Sequence, residues 1–231
     1  MNKVLEICNK KIEIFYEKME KQKIPVVVLN TFEHEGEDVW KECKKIMTKD
    51  FILVAISNLN WNDEMTPWKC SPIYKGDSEC KGEADNYLTD LENIILLKVE
   101  DYIKNELEKE IEFWTIAGYS LGGLFAMYAG YKTDVFKRIV SASGSMWYPK
   151  LVEFVMNNKL NGNVDKVYFS LGDKEANTKN EILKTVQKNT EAIYNKLKNE
   201  VETIFELNNG NHFQEANLRT AKGIKWILEG E

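Results

Sequence analysis

The stretch FWTIAGYSLGGLFAMYAG, residues 113–130, sets a serine between glycines inside an otherwise apolar passage. A β-rich run from Phe113 to Tyr119 leads straight into Ser120, and an apolar helical run from Leu121 to Gly130 leaves it. That order predicts a sharp strand-to-helix turn with the serine at its apex. Gly118 to Gly122 fits the pattern G-x-S-x-G. Glycines two before and two after the serine remove the Cβ atoms that would collide in so tight a turn, and let the backbone be strained there. The helix that starts at Leu121 directs free backbone N–H groups toward the same point, ready for negative charge. A glycine-rich turn with an idle serine is the plain alternative. A phosphate loop fits less well, because G-x-G-x-x-G fails at Ser120 and no Lys-Ser or Lys-Thr follows.

Outward from this turn the pattern repeats. Nearly continuous Val/Ile/Phe runs at residues 24–30, 51–57, 138–143 and 166–172 suit strands covered on both faces, hence a parallel sheet. VETIFEL, residues 201–207, adds a last strand. KKIEIFYEK, residues 10–18, instead alternates Ile12, Ile14 and Tyr16 with polar partners, as on a half-buried edge strand that could pair with a second copy. Between the runs, residues 37–49, 84–109, 121–132, 148–158, 180–199 and 214–229 carry apolar positions at three- and four-residue spacing. This βα alternation predicts an α/β fold with a mostly parallel, doubly wound sheet and helices on both faces. No repeat or linker marks a boundary, so residues 1–231 are expected to form one domain. The long irregular passage 58–84 is expected near the active-site end, as a functional or mobile loop.

The bulk numbers narrow the partners. Lys and Arg number 31 against 37 Asp and Glu, a net charge of −6, with no dense basic block, which argues against nucleic acid. No secretory signal pattern and no bilayer-length apolar run are present, so a cytoplasmic protein without a membrane partner is expected. Cys8, Cys43, Cys70 and Cys80 are scattered, which argues against a metal site or a disulfide scaffold; most of them read as small buried hydrophobes. Cys70 and Cys80 share one loop and could pair under oxidation, which an intracellular setting disfavours.

A serine hydroxyl needs a base to become a nucleophile. Of two histidines, His34 precedes the serine and reads more readily as a surface residue than as a substrate contact, whereas His212 follows it in the loop NNGNH, after the last strand. In hydrolases with this turn the chain order is serine, acid, histidine, which selects His212. The acid should lie in SLGDKE, where Asp173 and Glu175 both stand. Spacing favours Glu175, since the turn at Gly172 must finish before a side chain can face the imidazole.

Taken together, VVVLNTF, GYSLGG, SASGSMWY, SLGDKE and NHF, in that order, resemble the "Putative esterase" family of α/β-hydrolases, which includes siderophore (enterobactin-type) esterases, feruloyl esterases and mycolyltransferases. The resemblance runs from about Lys11 onward and implies the α/β-hydrolase fold. Its Gly-x-x-acid pattern again points to Glu175. By position it implies an oxyanion hole from the backbone N–H groups of Leu121 and Phe32, although the family's Asp-Gly after the first strand is Asn30-Thr31 here. The expected function is hydrolysis of a small-molecule carboxylic ester through an acyl-enzyme, with Ser120, Glu175 and His212 as triad and no metal or organic cofactor. Acyl transfer to an acceptor other than water, or a catalytically silent binding protein, are the alternatives. Trp61, Trp68, Tyr74, Trp147 and Tyr148 are candidates to line the substrate pocket.

Overall fold

The computed structural model describes residues 2–73 and 78–229. Its eight strands are β1 (Asn2–Ile7), β2 (Lys10–Phe15), β3 (Lys23–Asn30), β4 (Ile52–Ser57), β5 (Glu110–Tyr119), β6 (Phe136–Ala142), β7 (Lys166–Gly172) and β8 (Glu202–Asn208). They form one sheet in the order β1-β2-β4-β3-β5-β6-β7-β8. From β4 to β8 every neighbouring pair is parallel, and β1 and β2 are added antiparallel. The α/β fold expected from the alternation of runs is the one found.

The N-terminal segment differs from expectation. β2 is not an edge strand: it pairs with β1 along its whole length and with β4 on its other side. Its Ile12 and Ile14 are fully buried, each contributing about 1.5–3 kcal/mol by leaving water. The hairpin turn that adds β1 is made by Cys8 and Asn9, both at positive φ (53° and 60°), a two-residue geometry that glycine usually fills. Without that glycine the turn carries no sequence signature. Pairing of copies through Ile12 to Tyr16 is therefore ruled out by the strand already there.

Residues on alternate sides of the strands feed two cores. Val27, Leu29, Leu53 and Ala55 meet α1 (Gly36–Ile46) and α8 (Ala216–Glu229) on one face. Val26, Val28, Ile52 and Val54 belong to the larger core on the other. That core contains α3 (Ala84–Asp90), α4 (Leu96–Glu106), α5 (Leu121–Lys132), α6 (Leu151–Asn157) and α7 (Val186–Leu197). A π turn over Leu91–Ile95 joins α3 to α4. α5 is buried from Leu121 to Gly130, as a helix that is apolar all round must be. Passage 58–84 is tied down at several points: it holds the short α2 (Trp61–Glu64), its Asp63 accepts from the Lys81 N–H, and Cys70 and Cys80 exchange backbone hydrogen bonds. No helix among the described residues is long and apolar enough to cross a membrane.

α8 lies close on the sheet because position 223 has no side chain. A Cβ there would stand 2.5 Å from Val140 Cγ1 and 2.7 Å from the Tyr168 ring. Gly223→Val should therefore lower stability by about 1–3 kcal/mol, the usual cost of overpacking, read as a drop in thermal midpoint. An unchanged midpoint would contradict this packing of α8.

Candidate active site

Parallel register brings four chain segments to one end of the sheet. Asn30 pairs with Gly118, Gly118 with Ser141, and Gly172 with Asn208. The loops leaving β3, β5, β7 and β8 thus open at the same carboxyl edge, where α/β sheets carry their sites.

Ser120 stands at the turn between β5 and α5 with φ 56° and ψ −121°, a strained conformation for a residue with a side chain. A Cβ on Gly118 would collide with the backbone of Gly122, and one on Gly122 would come within 3.2 Å of the Asn30 carbonyl. The turn cannot close with a side chain at position 118, and position 122 is tight for one. The Ser120 carbonyl accepts from the N–H groups of Leu124 and Ser145, which fixes the strained residue from two sides.

Ser120 Oγ lies 3.0 Å from His212 Nε2, and His212 Nδ1 lies 2.8 Å from Glu175 Oε2. Burial alone would push the Glu175 carboxyl up; the hydrogen bond and charge of His212, with the Gly172 N–H and the Ser143 hydroxyl, outweigh it and hold the group below its usual 4.5. An ionised carboxylate can only accept, so Nδ1 carries the imidazole proton. Nε2 then presents a lone pair to the serine hydroxyl, an arrangement in which the imidazole can take the hydroxyl proton.

Asp173 takes the other role open to it. It is exposed, and its Oδ1 accepts from the Gly210 N–H at 2.8 Å. The Asp173 N–H donates to the Asn208 carbonyl and the Lys174 N–H to the Gly210 carbonyl. The loop carrying the carboxylate and the loop carrying the imidazole are thus stitched to each other directly. Gly210, at φ 103°, makes the turn between them.

Several residues here went unread in the sequence. The Tyr119 hydroxyl donates to the His212 carbonyl at 2.6 Å. Ser143 donates to Glu175 Oε1, and Arg219, fully buried, reaches the same oxygen at 3.1 Å. The signal for Arg219 was its spacing: with Gly223, Ile224 and Ile227 it falls on the buried stripe of α8.

The N–H groups of Leu121 and Phe32 have no hydrogen-bond partner among the described residues, which leaves them available as donors. Two clefts meet at Ser120 and His212. One, of about 350 Å3, is lined mainly by Val39, Phe32, Trp61, Tyr119 and Phe213. The other, of about 430 Å3, is lined by more polar groups that include Ser143, Ser145, Trp147, Asn177 and Asn211.

Trp61 and Trp147 therefore face the clefts, while Trp68 and Tyr148 do not. The Trp68 indole N–H donates to the Pro149 carbonyl, the Tyr148 hydroxyl donates to the Trp68 carbonyl, and both rings pack among Tyr128 and Phe154 or each other. These two aromatics anchor the 58–84 passage to the body of the protein, which corrects their expected place in the pocket. Tyr74 lies outside the described residues. His34 is exposed and lines neither cleft.

A family model described as "Putative esterase" matches residues 41–216, a span that includes Ser120, Glu175 and His212. Among curated proteins, the uncharacterized protein YbbA of Bacillus subtilis (strain 168) is 29% identical over 150 residues, 64% of this chain. The match spans 59% of that relative's length, so the chain accounts for less than two thirds of it. Among solved structures, an IroE-like serine hydrolase from Shewanella oneidensis aligns with a TM-score of 0.74 at 18% identity, over 97% of this chain and 78% of that one. The siderophore hydrolase EstA from Aspergillus nidulans aligns at 0.69 and 18% identity, over 96% and 92%. At such identities the likeness is one of fold.

The lowered Glu175 carboxyl has a thermodynamic consequence. Its ionised form adds stability that is fully present above the unfolded carboxyl's range and is lost as pH falls through the lower native value. Urea unfolding of the native chain and of Glu175→Gln should show the widest gap near neutral pH, closing below about pH 4. A gap that widens on acidification would reverse the sign of the argument.

Proposed function

Because this chain belongs to the "Putative esterase" family, whose model spans residues 41–216, we propose that it hydrolyses a small-molecule carboxylic ester with Ser120 as nucleophile. The observation that carries this reading is the unbroken line from Ser120 Oγ to His212 at 3.0 Å and on to Glu175 at 2.8 Å. One sheet running from β1 to β8 supports treating the chain as a single hydrolase domain.

Ser120 Oγ attacks the ester carbonyl as its proton passes to His212 Nε2. The carbonyl oxygen, now negative, is received by the N–H groups of Leu121 and Phe32, each such donor being worth roughly 3–4 kcal/mol of barrier. Glu175 holds the imidazole in the required tautomer and stabilises the imidazolium. The tetrahedral centre collapses, the C–O bond to the alcohol breaks, and His212 returns the proton to the departing oxygen. Water then repeats the sequence on the acyl-enzyme: His212 takes its proton, the carboxylic acid leaves, and Ser120 is regenerated. The two clefts that meet at Ser120 would take the two halves of the ester, the apolar half beside Phe32 and Trp61 and the polar half beside Ser145 and Trp147. Similar structures are named as siderophore hydrolases, which makes lactone and aryl esters the first compounds to try.

Short p-nitrophenyl esters should be cleaved by the native chain, and Ser120→Ala should lose roughly three orders of magnitude or more in kcat. Equal rates for the two would remove Ser120 from the reaction. Glu175→Gln should lose about a hundredfold or more, while Asp173→Asn, which loosens only the loop contact, keeps most of its turnover; the opposite ranking would exchange their roles.

A further inference from the structure

We propose that Arg219 is the positioning residue for Glu175 and His212: a buried guanidinium that grips the carboxylate by the oxygen turned away from the imidazole and ties the acid and histidine loops together. The inference rests on the hydrolase reading above and goes beyond it.

The two oxygens of Glu175 divide their partners. Oε2 faces His212, while Oε1 accepts from the Gly172 N–H at 2.6 Å, the Ser143 hydroxyl at 2.8 Å and Arg219 Nη1 at 3.1 Å. Nη1 also sits 3.2 Å from Ser143 Oγ and 3.3 Å from the Tyr119 hydroxyl, and Nη2 donates to the Asn209 carbonyl at 2.9 Å. The Tyr119 hydroxyl spends its proton on the His212 carbonyl and Ser143 spends its own on Glu175, so both accept from Nη1, whose two hydrogens are shared among three oxygens. One planar group thus reaches the acid, the main chain before the histidine, and, through Tyr119, the main chain of the histidine itself. Lysine cannot span these directions from a single point charge.

Room for the guanidinium is built in. A Cβ on Gly172 would stand 2.9 Å from Nη1 and 3.0 Å from Nη2, so the glycine that ends β7 also admits the arginine. Arg219 is 0% exposed, and a cation is retained in such a place only when it is paired. The groups that face the carboxylate are His212 from the loop after β8, Arg219 from α8 and Tyr119 from β5; Lys174 adjoins it on its own loop, and Asp173 turns away to Gly210. Arg219 is the cation that meets Glu175 from the side opposite the imidazole. If it is lost, a positive charge is gone from beside Glu175 and a proton is more easily added to the carboxylate, which acts on the acid side of the rate profile.

The test compares the pH dependence of kcat/KM for p-nitrophenyl acetate in the native chain, Arg219→Met and Arg219→Lys. For Arg219→Met the plateau should fall by about tenfold or more, and the acid limb should move up by about half a pH unit or more. Arg219→Lys keeps the charge, so its limb should stay near the native position while kcat falls and KM holds. In a Glu175→Gln background, Arg219→Met should cost little more, because the arginine acts through that carboxylate. A purely structural role for Arg219 predicts a lower thermal midpoint with the acid limb unmoved and losses that multiply in the double variant; that result overturns the proposal. Should Arg219→Met fail to fold, Arg219→Lys decides the matter: a lowered kcat with the acid limb near its native position supports the proposal, and native kcat with native KM overturns it. A native chain that cleaves no ester would instead refute the hydrolase reading.

Discussion

The hydrogen bond between His212 Nδ1 and Glu175 Oε2 is the contact on which the site depends, because it sets how the side chains of two neighbouring loops face each other. The loops are neighbours by the sheet's topology: they leave β7 and β8, which are parallel and in register up to Gly172 and Asn208. Three further hydrogen bonds between them, from the N–H groups of Asp173, Lys174 and Gly210, hold their separation. With the carboxylate held ionised, the imidazole has one tautomer available, and its Nε2 lone pair is the one that faces the Ser120 hydroxyl.

The other half of the geometry comes from strain at Ser120. A non-glycine residue at φ 56° persists only where its surroundings hold it, and here the hold is backbone hydrogen bonding from both α5 and the segment after β6. The close approach of Gly118 and Gly122 lets α5 begin immediately after the serine, so unpaired N–H groups lie beside the hydroxyl. Because β3 and β5 are parallel neighbours, the Phe32 N–H leaves the sheet at the same edge. Sheet register, rather than any long side chain, brings these N–H groups and the Ser120 hydroxyl to one edge.

Much of this was legible in the sequence, for identifiable reasons. Strands buried on both faces write themselves as unbroken Val/Ile/Phe runs, and a turn that tolerates no Cβ writes itself as glycine, which is why β3 to β7 and Ser120 could be located. His212 followed from chain order, and Glu175 from the residues a turn consumes after Gly172. The N-terminal hairpin was not legible, since Cys8 and Asn9 adopt positive φ without the glycine that would mark it. Trp68 and Tyr148 look like pocket aromatics in sequence; their polar atoms find backbone carbonyls instead, which only the tertiary structure reveals. Arg219 was hidden because an arginine in a helix reads as solvent-facing until its neighbours at positions 223, 224 and 227 are counted as one stripe.

The central claim is that an imidazole oriented by Glu175 turns the hydroxyl of Ser120, and no other, into a nucleophile. Reaction with diisopropyl fluorophosphate followed by peptide mass mapping tests it most directly, since the reagent records which hydroxyl attacks. The account predicts one phosphoryl adduct on the peptide carrying Ser120 in the native chain and its loss in His212→Ala. An adduct on a different residue, or ester cleavage that continues undiminished once Ser120 carries the adduct, would contradict it.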